Sequence, residues 1–165
     1  AGRWEGALAL LAAAACGRLH AGTIACNAAI SACERDGQWA AAVELLAFMA
    51  HSRVEWNTVT CSAAISACEK GKTWGTALQL LGALAGAAAE PNAVSFNAAA
   101  SALASGGEWD RALGLLAAMA RCRVELNTIT YNAATTACER GCEWAGALQL
   151  LASAPTADAV TCNAA

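Results

Sequence analysis

Residues 23–35 read TIACNAAISACER, and residues 58–70 read TVTCSAAISACEK. The two stretches stand 35 residues apart and agree at most positions. The pattern returns as AVSFNAAASALAS from Ala93, as TITYNAATTACER from Thr128 and, shorter, as AVTCNAA from Ala159. A second block lies between these copies. It opens at Trp4, Trp39, Trp74, Trp109 and Trp144, again 35 residues apart. Leu-Leu pairs follow at Leu10-Leu11, Leu45-Leu46, Leu80-Leu81, Leu115-Leu116 and Leu150-Leu151. Several residue types recurring in one register across a whole chain mark a repeat architecture, in which each unit stacks on its neighbours.

Each unit reads as two helices. Helix A begins after Gly22, Asn57, Asn92, Asn127 and Asp158, most of them good N-cap residues. It ends near Gly37, Gly71, Gly106 and Gly141, where glycine tolerates a left-handed turn. Helix B starts near each Trp, and Trp39, Val43, Leu46 and Met49 fall on one apolar stripe. That spacing puts the Trp series in the core. Alanine makes up more than a quarter of the chain, and it is the best helix former. One helix pair cannot bury its stripe alone, whereas stacked pairs bury a continuous core. The expected fold is therefore all-α, an α-solenoid of stacked helix-turn-helix repeats. Its divisions are a partial repeat (helix B) at 1–22, full repeats at 23–57, 58–92 and 93–127, a short repeat at 128–158, and the start of another at 159–165. The pattern starts inside a unit, so the chain reads as an excised region. Four residues are missing from the last helix B, near Pro155, and a shortened helix is expected there.

Composition narrows the function. The chain has 165 residues and a net charge of −3, and only 14% of residues are charged. A disordered, highly charged tail is excluded, as is a domain of pI above about 9. No run of about 20 apolar residues could cross a membrane. No targeting segment is visible in the sequence. The nine cysteines lack a C-x₂-C pair, so the usual zinc spacing is absent. Cys26, Cys61 and Cys162 share a repeat position with Phe96 and Tyr131. Cys33, Cys68 and Cys138 share one with Leu103. Positions that accept such different side chains are packing positions. Cys122 and Cys142 fall outside them. No nucleophile–base pair, phosphate loop or paired carboxylates stand out, so no enzyme activity, metal or cofactor is expected.

The 35-residue period and the run of the form VTxNAxISACEKG, followed by Trp and a Leu-Leu pair, resemble the pentatricopeptide repeat family. The resemblance covers essentially the whole chain. It implies a right-handed α-solenoid with helices A lining the concave face. It implies sequence-selective binding of single-stranded RNA, one base per repeat, in a mitochondrion or chloroplast, serving RNA processing, stability or translation. It places base-reading side chains at the fifth position of each repeat, here Asn27, Ser62, Asn97, Asn132 and Asn163, and at the last, here Asn57, Asn92, Asn127 and Asp158. It places base-sandwiching residues at the second position, here Ile24, Val59, Val94, Ile129 and Val160. It places phosphate-contacting cations at Arg35, Lys70 and Arg140, with Ser105 departing from that pattern. The family's code implies 5′-pyrimidine-A-pyrimidine-U-3′ for the four complete repeats.

The residues carry an independent argument. An amide offers a donor and an acceptor to a base edge, and a β-branched neighbour offers a stiff wall. Asn costs helix stability relative to Ala, yet four of the five fifth positions keep it and the other is Ser62. The same ladder also fits hydrogen bonding between neighbouring helices A, and the last-position residues also fit N-caps. With three cations, the expected log–log salt slope is only about −2, and binding is weak. The alternative is a protein-interaction scaffold, since helical solenoids also present grooves to peptides. No small-molecule substrate is expected.

Overall fold

The computed structural model describes residues 5–6, 23–52, 54, 57–86 and 91–153. Asp158, Val160 and Asn163 lie outside the described residues, as do the shortened tail of the last helix B and nearly all of the first half-unit. The described residues form helices joined by short turns, with no strand among them. The helices A are α1 (Thr23–Arg35), α3 (Thr58–Lys70), α5 (Ala93–Gly106) and α7 (Thr128–Arg140). The helices B are α2 (Trp39–His51), α4 (Trp74–Gly86), α6 (Trp109–Arg121) and α8 (Trp144–Ser153). The chain divides into two compact units, Ala1–Glu90 and Pro91–Ala165.

In the first unit, α1 buries Cys26, Ala29, Ile30 and Cys33. Their spacing of three and four residues is that of one helix face. Helix α2 buries Ala41, Ala42, Leu45, Leu46 and Met49 against it. Helix α3 packs on α1, α2 and α4 and buries Ala64, Ile65, Ala67 and Cys68. In the second unit, α5, α6, α7 and α8 repeat this arrangement. There Phe96, Leu103, Leu115, Leu116, Met119 and Tyr131 supply the bulk. Each fully buried large side chain contributes about 1.5–3 kcal/mol. The small Ala and Cys positions let helices A lie close together.

Burial pushes the thiols of Cys26, Cys33, Cys61, Cys68 and Cys138 up from their ordinary value, Cys61 to about 11. They are packing groups, as their exchange with Leu, Phe and Tyr suggests.

Three helices A begin as their sequences indicate. The Asn57, Asn92 and Asn127 side chains accept hydrogen bonds from the backbone N–H of Thr60, Ser95 and Thr130, each at 3.0 Å. Thr60 and Ser95 return the bond to the cap backbone, closing a capping box. The helix A ends correct the sequence reading. At these ends the left-handed residues are Gly37 (φ 65), Lys72 (φ 55), Gly107 (φ 68) and Cys142 (φ 57), one per helix A. Each is followed by a backbone N–H bonding back five residues: Gln38 to Cys33, Thr73 to Cys68, Glu108 to Leu103 and Glu143 to Cys138. This is a Schellman ending. Gly71 and Gly141 precede that position and have ordinary helical φ of −78° and −81°.

Those two glycines answer to the tryptophans. A Cβ on Gly71 would collide with the ring of Trp39, and one on Gly141 with the ring of Trp109. The described members of the Trp series are therefore not core, contrary to what their place on the stripe suggests. Trp39 is 36% exposed and Trp144 70% exposed, while Trp74 and Trp109 are half-buried. Trp39, Trp74, Trp109 and Trp144 are each the first residue of their helix B. Trp39 and Trp109 lay their rings over the turn that ends the next helix A, where only a residue lacking Cβ lets the ring approach.

Candidate functional site

Positions two and five of a repeat lie three residues apart, so they share one face of helix A. At position two, Ile24 is 86% exposed, Val59 63%, and Val94 and Ile129 58% each. A single exposed apolar residue on a protein surface is ordinary. Four β-branched residues exposed at the same register position form a recurring feature. One helical turn on stand Asn27, Asn97 and Asn132, all half-buried, and Ser62, which is buried. Each described repeat thus sets an apolar wall beside a polar side chain.

The fifth and last positions of a repeat meet through a residue that sequence reasoning missed. Thr60 is completely buried. Its hydroxyl donates to Asn27 Oδ1 at 2.5 Å, and its Oγ1 lies 2.9 Å from Asn57 Oδ1. The second unit repeats the arrangement: Thr130 Oγ1 lies 2.8 Å from Asn97 Oδ1 and 2.9 Å from Asn127 Oδ1. Both halves of the inter-helix ladder reading and of the N-cap reading are therefore present. The partner across the ladder is a hydroxyl of the next helix A, not another amide. The signal was visible as a recurring hydroxyl at the third position, Thr60, Ser95 and Thr130.

The cations stand in the last turns of their helices, where the helix dipole favours positive charge. Arg35 is exposed. Lys70 Nζ lies 3.7 Å from Glu34 of the preceding helix A, an exposed pair worth at most about 1 kcal/mol. In the second unit the preceding helix carries Ala104 and Ser105 where the first unit has Glu34 and Arg35. Arg140 Nη1 accordingly donates to the main-chain carbonyls of Ala104 (3.3 Å) and Ser105 (3.2 Å). Lys70 and Arg140 thus clasp one helix A to the previous one. Among the described residues there is no group of His, Cys, Asp and Glu able to hold a metal ion.

Residues 24–54 and 94–124 match the family model described as the PPR repeat. Those two stretches are pentatricopeptide repeats. The stretches at 58–92 and 128–153 continue the same 35-residue register and the same helical hairpin. Solved structures agree on the fold. The PPR domain of Arabidopsis thaliana protein-only RNase P 1, solved with tRNA, matches with a TM-score of 0.79 at 14% identity, over 97% of this chain and 86% of that one. Nuclear proteinaceous RNase P 2 from A. thaliana matches at 0.84 and 13% identity, over 98% and 38%. The maize pentatricopeptide repeat protein PPR10 matches at 0.77 and 25% identity, over 99% and 24%. Its complex with an 18-nt psaJ RNA element matches at 0.68. The chain spans about a quarter of the maize protein's length. Among curated proteins no sequence matches significantly.

Proposed function

We propose that this pentatricopeptide repeat array binds single-stranded RNA, one base per repeat, as a binding module of an organellar RNA-processing, stability or translation factor. The observation that carries this reading is the exposed β-branched residue set one turn from the polar fifth side chain in every described repeat. A flat base fits between successive walls (Ile24 and Val59, or Val94 and Ile129). An amide beside it can pair with the base edge. The maize relative, solved in complex with RNA, supports the same reading. On it, Asn27 with Asn57 and Asn97 with Asn127 favour a pyrimidine, Ser62 with Asn92 favours adenine, and Asn132 with Asp158 favours uracil.

The test is fluorescence anisotropy with short single-stranded RNA of sequence pyrimidine-A-pyrimidine-U, its purine-substituted counterpart and matched DNA, across a salt series. Binding is expected to favour the matched RNA. Its log–log salt slope should be about −2 if three cations meet phosphates, and about −0.7 if Lys70 and Arg140 both keep their protein partners. Equal affinity for the purine-substituted RNA refutes the base assignment. No salt-sensitive binding to any RNA refutes the function and leaves the peptide scaffold as the occupant of the groove.

A further inference from the structure

The mechanism of base selection in the family reading uses the fifth and last side chains, and leaves the third-position hydroxyl unused. Thr60 and Thr130 are the same group in two separately packed units. Each is completely buried and each touches an amide 33 residues earlier. Such recurrence does not come from local helix geometry, because the partner belongs to another helix.

Proton counting decides what the contact does. A threonine hydroxyl has one proton to donate. Asn57 Oδ1 already accepts the Thr60 backbone N–H at 3.0 Å, and Thr60 Oγ1 accepts the Asn57 N–H at 3.3 Å. The separation to Asn27 Oδ1 is 2.5 Å, and that from Thr130 to Asn97 Oδ1 is 2.8 Å. The first is an O–H···O length and too short for an N–H···O bond, and the second is the commonest O–H···O length. The hydroxyl proton therefore goes to the fifth-position amide and holds its oxygen inward. The opposite end of that amide, with its two N–H donors, is left to the ligand. A free asparagine presents either end at almost equal cost. A clamped one presents donors only.

We propose that Thr60 and Thr130 are positioning residues that set base specificity in the repeat before them. By holding the Asn27 and Asn97 oxygens, they commit those amides to bases with an acceptor on the contacted edge and disfavour guanine, whose N1–H and N2–H₂ donors face the amide hydrogens. The proposal rests on the RNA reading above. It also assigns the reading of the first and third complete repeats to four residues rather than three, the fourth contributed by the next repeat.

The substitution Thr60→Val keeps the shape of the side chain and removes the hydroxyl, while Thr60→Ser keeps the hydroxyl. RNA affinity is measured with a pyrimidine or guanine opposite the first complete repeat. Thr60→Val should shrink the pyrimidine-over-guanine preference by a factor of about 3–10, the size of one hydrogen bond, and Thr60→Ser should restore it. Thr130→Val repeats the experiment opposite the third complete repeat. A merely structural threonine would weaken both RNAs equally, and that result overturns the proposal. A second measurement needs neither RNA nor a variant. In NMR spectra of the unmodified chain, the Thr60 hydroxyl proton should exchange slowly and show a nuclear Overhauser contact to the Asn27 side chain. A rapidly exchanging hydroxyl overturns the clamp. Failure of the unmodified chain to bind RNA, with the hydroxyl protected, overturns the RNA reading and the specificity role together. Binding with unchanged discrimination in Thr60→Val overturns the proposal alone.

Discussion

At the scale of single residues, neighbouring positions in one turn have opposite requirements. Gly71 has an ordinary backbone angle, so alanine would suit its φ and raise helix propensity. Its Cβ would nevertheless meet the Trp39 ring, and overpacking of this kind costs about 1–3 kcal/mol. Gly71→Ala should therefore lower the melting temperature. Lys72, the next residue, holds φ 55, a conformation that costs a residue with Cβ about 1–2 kcal/mol. Lys72→Gly should raise the melting temperature, and a thermal melt of both variants checks the opposed signs. Sequence alone made the glycines visible but assigned them one shared duty. Asp36-Gly37 in one repeat and Gly71-Lys72 in the next fill the same two register positions with the glycine one place apart, and only the backbone angles separate the Trp seat from the left-handed turn. The cysteines were more legible, because exchange with Leu, Phe and Tyr already marked them as packing groups. Cys122 and Cys142 are exposed, while Cys26, Cys33, Cys61, Cys68 and Cys138 are buried. Among these seven, a thiol reagent on the folded chain should label only the first two quickly. The folded state raises the Cys61 thiol to about 11, so the unfolded chain loses that proton first. Stability is whole below about pH 9 and falls as pH rises towards 11. Melting temperatures in reductant across that range should decline with pH.

At the scale of the helix, the beginnings were readable, and of the contacts between helices the amide ladder was readable but its hydroxyl partner was not. Asn57, Asn92 and Asn127 announced their helices because a cap acts on backbone groups two or three residues away. The bond from Thr60 to Asn27 spans 33 residues and becomes visible only when two helices A lie side by side. The same applies to Arg140, whose carbonyl partners on α5 follow from the missing acid at Ala104. Asn57 therefore carries two loads, as cap and as last position of its repeat. Asn57→Ala should cost about 1 kcal/mol in urea unfolding, and Asn57→Asp, an equally good cap, should cost little. Any change in RNA preference with Asn57→Asp then reports on reading, separate from folding.

At the scale of the whole molecule, the repeat period was the most legible property, since it needs no three-dimensional information. The apolar walls were legible only as residue types: β-branched side chains at position two fit burial as well as exposure, and the structure settles it at 58–86% exposed. The net charge of −3 still limits phosphate attraction, and two of the three last-turn cations, Lys70 and Arg140, already have protein partners. Binding should accordingly depend on base contacts more than on salt, which a shallow salt slope would register. The tryptophan lid on the following glycine has a further consequence for how such a chain changes length. Trp39 meets Gly71 and Trp109 meets Gly141, an offset of 32 residues in both cases. Within residues 23–153, where the 35-residue period is unbroken, removing or duplicating a stretch of 35 residues returns each ring to a residue of the same register position. Insertions of other lengths strand the ring over a side chain. The array can thus gain or lose helical hairpins by recombination at any point in its regular part, provided the step is one whole period.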